Sequence, residues 1–126
     1  METIYLTEFT ELGPEVPEFL DMGLLILFRV GAPPELAEMS ALHEPETFRE
    51  EPPKAGDTIV LGSRELLITA VGERAWKNVR DLGHVVLKFN GQDETELPGE
   101  IYVEETDGLS ELVRPGTRLE IKTAAS

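Results

Sequence analysis

An all-β protein, built as a small closed or nearly closed barrel with one short helix, is what this sequence predicts. Seven or eight short runs of β-forming residues are separated by turns carrying glycine or proline. Only one stretch has the periodicity of an amphipathic helix. With so many short strands, closing the sheet is the economical way to leave no strand edge exposed. The 126 residues, 40% of them apolar, suffice for one core, so the chain reads as a single domain over residues 1–126.

Residues 3–12 alternate β-formers with polar residues and end at Gly13-Pro14, a turn signal. Residues 22–30 hold the longest apolar run, Gly23-Leu24-Leu25-Ile26-Leu27-Phe28. It is far shorter than the roughly 20 residues of a membrane helix, so it is predicted as a buried strand. Gly31-Ala32-Pro33-Pro34 closes it, because proline donates no backbone hydrogen bond. Residues 35–42 fit two descriptions: Pro34 can open one helical turn, and 39–43 can equally be a strand. Residues 46–54, charged and broken by Pro52-Pro53, read as an exposed and mobile loop.

Residues 55–61, 98–103 and 115–121 share one pattern, a glycine-bearing turn followed by an alternating strand. Small barrels write their turns this way without any internal repeat. Residues 66–71 and 84–89 are further strands. Between them, residues 73–83 form the helix, with Trp76, Val79 and Leu82 close to one face and Gly83 where a helix commonly ends. Asn90-Gly91 reads as a hairpin turn, and residues 123–126 as a frayed tail.

Composition narrows the function. There is no cysteine, which removes disulfides, thiolate metal sites and cysteine nucleophiles and suits a reducing compartment. The amino terminus lacks the basic and apolar regions of a secretory signal, so a cytoplasmic location is expected. The net charge of −14 repels nucleic-acid phosphates and anionic membranes. It would steer a basic protein partner, or serve solubility alone.

Most catalytic apparatus is missing: no phosphate-binding Gly-Lys-Ser/Thr loop, no His-Glu-x-x-His, no nucleophile elbow. Glu50-Glu51 and Glu104-Glu105 are sequence neighbours, which point to opposite faces of a strand and read as solvated charge. Two histidines remain, His43 and His84. Imidazole suits reversible chemistry near neutral pH: one ring nitrogen can attack phosphorus while the other is held by a hydrogen bond. His43, in Ser40-Ala41-Leu42-His43-Glu44-Pro45-Glu46, is expected to be accessible at a strand end, or else is an ordinary surface histidine. His84 is either a hydrogen-bonded structural residue or a second imidazole donating to phosphoryl oxygens. A zinc site built on both is a third option, although their spacing carries no ligand motif.

At these residues the chain resembles the glucitol/sorbitol-specific IIA component of the bacterial phosphoenolpyruvate-dependent sugar phosphotransferase system. The resemblance is carried by Phe28-Arg29-Val30-Gly31-Ala32-Pro33 with His43 following, by Thr69-Ala70-Val71-Gly72, by Asn78-Val79-Arg80-Asp81-Leu82-Gly83-His84-Val85, and by Phe89-Asn90-Gly91 before Leu97-Pro98-Gly99. It implies a small β-barrel and a phosphocarrier that needs no cofactor and no metal. It also implies that His43 accepts a phosphoryl group from the histidine phosphocarrier protein and passes it to a cysteine of the IIB domain. The membrane IIC domain would couple that transfer to sugar uptake. Glu44-Pro45-Glu46 departs from family members that carry a cysteine and a second histidine there, which leaves His84 as the one candidate for a second imidazole. The rivals are a noncatalytic acidic barrel that binds or regulates other proteins, a barrel for a small apolar ligand, and a family member that keeps only the fold.

Overall fold

The computed structural model describes residues 1–124. Its strands are β1 (Glu2–Leu12), β2 (Leu24–Arg29), β3 (Ala41–Phe48), β4 (Thr58–Leu61), β5 (Arg64–Val71), β6 (Val85–Phe89), β7 (Glu100–Val103) and β8 (Arg118–Thr123). They close into a barrel in the order β1-β3-β2-β6-β7-β5-β4-β8. The expected barrel is therefore present, fully closed.

Most pairings are antiparallel, but β2–β3 and β6–β7 are parallel. Asn90-Gly91 is accordingly no hairpin. It opens the long connection that carries the chain back to start β7 alongside β6. The Gly56 and Gly116 turns do use positive φ, whereas Gly99 does not.

Four short helices replace the single one expected: α1 (Val16–Asp21), α2 (Pro34–Ala37), α3 (Ala75–Leu82) and α4 (Leu109–Leu112). In α1, Pro17 lies in the first turn, where its missing N–H costs nothing, and Val16 and Leu20 are buried one turn apart. In α3, Ala75, Trp76 and Val79 are buried, while Leu82 is exposed. Six positions after Trp76, Leu82 lies about 120° round the helix from it and so leaves the inner face.

The barrel interior is filled by side chains from every strand, among them Ile4, Phe9, Leu25, Ile59, Ile68 and Ile101. At about 25 cal/mol per Å² of apolar surface, this burial supplies the main drive to fold. Residues 35–42 resolve into one helical turn followed by the start of β3. That strand runs through His43 and on to Phe48, so the exposed loop begins at Arg49 and not at Glu46. Between Leu6↔Thr47 and Thr7↔Pro45 the register skips Glu46, an extra residue on β3 beside Pro45 that lets the proline sit in the ladder. Of the expected tail, Thr123 belongs to β8, and residues 125–126 lie outside the described residues.

Candidate functional site

Tyr5, Thr7 and Phe9 all face inward from β1. Two of these inward positions are polar, and both approach His43. The His43 Cα stands opposite Phe9 on one side and Arg29 on the other. Its side chain points into the barrel and is 1% exposed. The expected accessible histidine at a strand end is thus corrected. His43 shares the inward phase of Ala41, and β3 continues past it on both sides.

Both ring nitrogens are engaged. Nε2 lies 2.7 Å from the Gly83 carbonyl and Nδ1 lies 2.7 Å from Thr7 Oγ1, with Tyr5 Oη farther off at 3.4 Å. A carbonyl can only accept, so Nε2 carries the proton and Nδ1 accepts from the Thr7 hydroxyl. Burial lowers the His43 pKa from its ordinary value, opposed by the bond to Gly83 and reinforced by the Arg29 charge. The ring is held neutral. Burial also raises the Tyr5 phenol well above its ordinary value, so it remains a hydroxyl.

Gly83 is where it is for a steric reason. It ends α3 with φ of +63°, and the His84 N–H closes back on Asn78 O, a left-handed helix terminus. A Cβ on Gly83 would meet Arg29 Cβ at 2.7 Å and Arg29 N at 3.0 Å. Glycine alone lets the helix end approach β2 closely enough to place its carbonyl on Nε2.

His84 is the next residue and is half-buried. Its Nδ1 donates to Leu27 O at 3.0 Å, and its ring lies 4.6 Å from the Phe28 ring. Among the described residues, no hydrogen bond joins the two imidazoles. The fold brings His84 beside the carbonyl that caps His43 without pairing the rings. Arg29 is exposed and donates to Arg80 O in the last turn of α3 at 3.2 Å. Among the described residues it forms no ion pair, so a free cation borders the site rather than the surface ion pair usual at a strand end.

Tyr5 also meets Trp76 edge-on at 5.5 Å, and Phe48 stacks on Trp76 at 5.3 Å. This aromatic cluster separates His43 from an open groove of about 850 Å³ walled by Phe48, Trp76 and Arg80. His43 does not line that groove. A shallower depression formed by Arg29, Val30, Glu44 and Pro45 lies over the other side of β3. Among the described residues, no cluster of three histidine, aspartate or glutamate side chains is placed to hold a metal ion.

Sequence patterning did not single out Thr7, Tyr5 or the Gly83 carbonyl. The available signal was Thr7 itself, a polar residue on the Tyr5-Thr7-Phe9 stripe of a strand whose inward phase is otherwise aromatic.

The sequence model of the PTS system glucitol/sorbitol-specific IIA component matches residues 4–120. The chain belongs to this family. The glucitol/sorbitol-specific EIIA components of Shigella flexneri and Escherichia coli are each 36% identical to it over 123 residues, covering 98% of both chains. The crystal structure of a PTS system IIA component from Enterococcus faecalis shares the fold, with a TM-score of 0.71 at 20% identity over 90% of this chain and 96% of that one. Membership in the glucitol/sorbitol IIA family makes this barrel a phosphocarrier component of a sugar phosphotransferase system. Among the described residues, no helix is long and apolar enough to cross a membrane.

Proposed function

We propose that His43 accepts and passes on the phosphoryl group, with Nε2 as nucleophile and no metal in the step. The observation that supports this most is the contrast between the two ring nitrogens. Nδ1 is walled in by Thr7 and Tyr5 of β1, which are 0% and 2% exposed. Nε2 is held by one backbone carbonyl, at a helix end flanked by exposed Leu82 and Arg29. Lifting residues 82–84 frees Nε2 while β1 still grips Nδ1. Such a cap movement exposes the ring only when a partner is docked.

The donor is the phosphohistidine of the histidine phosphocarrier protein. The Nε2 lone pair forms a new N–P bond as the donor N–P bond breaks in line, and that electron pair stays on the donor nitrogen. The transition state spreads charge over three phosphoryl oxygens, so the protein's task is positioning and charge stabilisation. Arg29 is the group at hand for it; His84, whose Nδ1–H is given to Leu27 O, can join only when its ring carries a second proton on Nε2. Onward transfer goes to a cysteine of the IIB domain on the cytoplasmic face, and the membrane IIC domain couples it to uptake. The phosphocarrier docks over the cap at residues 82–84 and exposed Arg29, where Nε2 opens, with Glu44 at the rim. Glu46 contributes less, being paired with Arg118. Raising salt to physiological strength should slow association, and an unchanged rate would leave the acidic surface to solubility.

Incubation with phosphoenolpyruvate, the first enzyme of the system and the phosphocarrier protein tests the proposal. Wild type should acquire acid-labile, base-stable phosphate and His43→Gln none, since the amide lacks a nucleophilic ring nitrogen. Full labelling of His43→Gln would move the nucleophile elsewhere, with His84 the first suspect. The near-complete burial of His43 favours a second reading, a noncatalytic acidic binding module. That reading gains if wild type stays unlabelled under conditions that label a known IIA component.

A further inference from the structure

We infer that Thr7 is a positioning residue for His43, its hydroxyl reversing between donor and acceptor as the ring is loaded and unloaded. This rests on His43 Nε2 as the phosphoryl acceptor. Thr7 is fully buried on the inward stripe of β1 between Tyr5 and Phe9. A buried hydroxyl needs a partner, and this one has His43 Nδ1 at 2.7 Å.

The Gly83 carbonyl at 2.7 Å from Nε2 fixes the direction of that bond in the unloaded ring. Nε2 holds the proton, Nδ1 presents its lone pair, and Thr7 donates. Loading requires the opposite tautomer. Once residues 82–84 have lifted, the Nε2 proton leaves to solvent and one is drawn in to Nδ1 by relay through the Tyr5 and Thr7 hydroxyls that face it, with no net change. Nε2 then takes the phosphoryl group from the donor phosphohistidine, and the Nδ1 proton remains on the ring. In that state Nδ1–H donates and Thr7 Oγ1 accepts. No heavy atom of Thr7 has to move.

The chemistry of the hydroxyl decides why threonine suits this position. A carbonyl or carboxylate only accepts and an ammonium only donates, so each would favour one state of the ring. A carboxylate on Nδ1 would also hold positive charge on the loaded ring and hinder release. Arg29 is the charged side chain whose field reaches the ring, and its effect is to oppose protonation. The Tyr5 hydroxyl, 3.4 Å from Nδ1, is protonated and can also serve either tautomer. A carrier must load and unload with comparable ease, and a neutral, reversible partner on Nδ1 permits that.

The test compares Thr7→Val, which removes the hydroxyl at similar size, with Thr7→Ser, which keeps it. Nitrogen-15 NMR of the ring reports the tautomer, and phosphate uptake from the phosphocarrier protein reports the rate. Wild type and Thr7→Ser should show Nε2–H when unloaded and Nδ1–H when phosphorylated. Thr7→Val should keep Nε2–H when unloaded, since the Gly83 carbonyl sets it, but load about tenfold more slowly, the size of one lost hydrogen bond. A wild-type loading rate in folded Thr7→Val would overturn the inference. So would a folded Thr7→Ser that behaves like Thr7→Val, or Nδ1–H in unloaded wild type. If Thr7→Val does not fold, the wild-type and Thr7→Ser spectra decide. Failure of the His43 assignment itself looks different: phosphorylation would then leave the His43 ring spectrum unchanged.

Discussion

His43 and His84 are separated by 40 residues of chain and joined, in the fold, by a single carbonyl. Gly83 gives its oxygen to His43 Nε2, and the next residue is His84. Their surroundings differ in kind. His43 is enclosed, with each nitrogen facing a neutral partner and the ring kept uncharged by burial. His84 is half-buried against Phe28, with one nitrogen on a backbone carbonyl. An imidazole that must exchange a phosphoryl group needs both nitrogens specified. An imidazole that only assists needs one nitrogen anchored and one edge turned outward. Under the proposed function the pair would separate into a carrier and a helper.

The largest effect that can break this division is on labelling. His43→Gln should lower phosphate acceptance at least a thousandfold, since removing a nucleophile leaves no chemical route. His84→Gln should still be labelled. Equal loss in both variants would erase the distinction.

Gly83→Ala attacks the shared carbonyl. A side chain at φ of +63° costs about 1 kcal/mol, and the 2.7 Å contact with Arg29 Cβ forces the helix end away from β2. Together these should destabilise the fold by about 2–3 kcal/mol, read as a melting temperature lower by about 10 °C. The His43 Nε2–H signal should shift while that of His84 Nδ1 changes little. An unchanged melting temperature would mean that the close approach is not required.

His84→Gln sharpens the helper role. Because Nδ1–H is already given to Leu27 O, His84 can donate to the phosphoryl group only when its ring holds a second proton, so onward transfer should slow by no more than about tenfold while acceptance persists. Transfer at the normal rate would make His84 purely structural.

The smallest effect is on stability against pH. The folded His43 pKa lies below the unfolded value of about 6.5, so between the two the unfolded chain binds more protons. Stability from this group is complete above about pH 6.5 and falls as pH drops toward the folded value. The slope is at most about 1.4 kcal/mol per pH unit. His43→Gln should flatten that part of the curve, and an unaltered slope would place the titration elsewhere.

Alternation and turn chemistry made most strands legible, because a residue and its neighbour two along respond to the same local environment. Residues 3–12, 66–71 and 115–121 illustrate this, since each lies on a strand close to its expected limits. The helix preceding Gly83 was legible for the same reason. The passage of β3 through His43 and Pro45 was not, since a proline inside a ladder needs an irregularity such as the one at Glu46, which is set by pairing with distant β1. The length of the loop after it was misjudged on the same account.

The sequence by itself determined the barrel class, the absence of cysteine chemistry, the acidic surface and the two histidines on which function can rest. These follow from local periodicity and composition. Only the tertiary structure decided that His43 is buried, that its partners are Thr7 and the Gly83 carbonyl, and that His84 stands beside the site without pairing with it. Those contacts join β1, β3 and the end of α3 across 36 and 40 positions of sequence. The direction of a side chain, the path of a helix terminus and the closure of a barrel are set by packing among distant elements, and no local pattern encodes them.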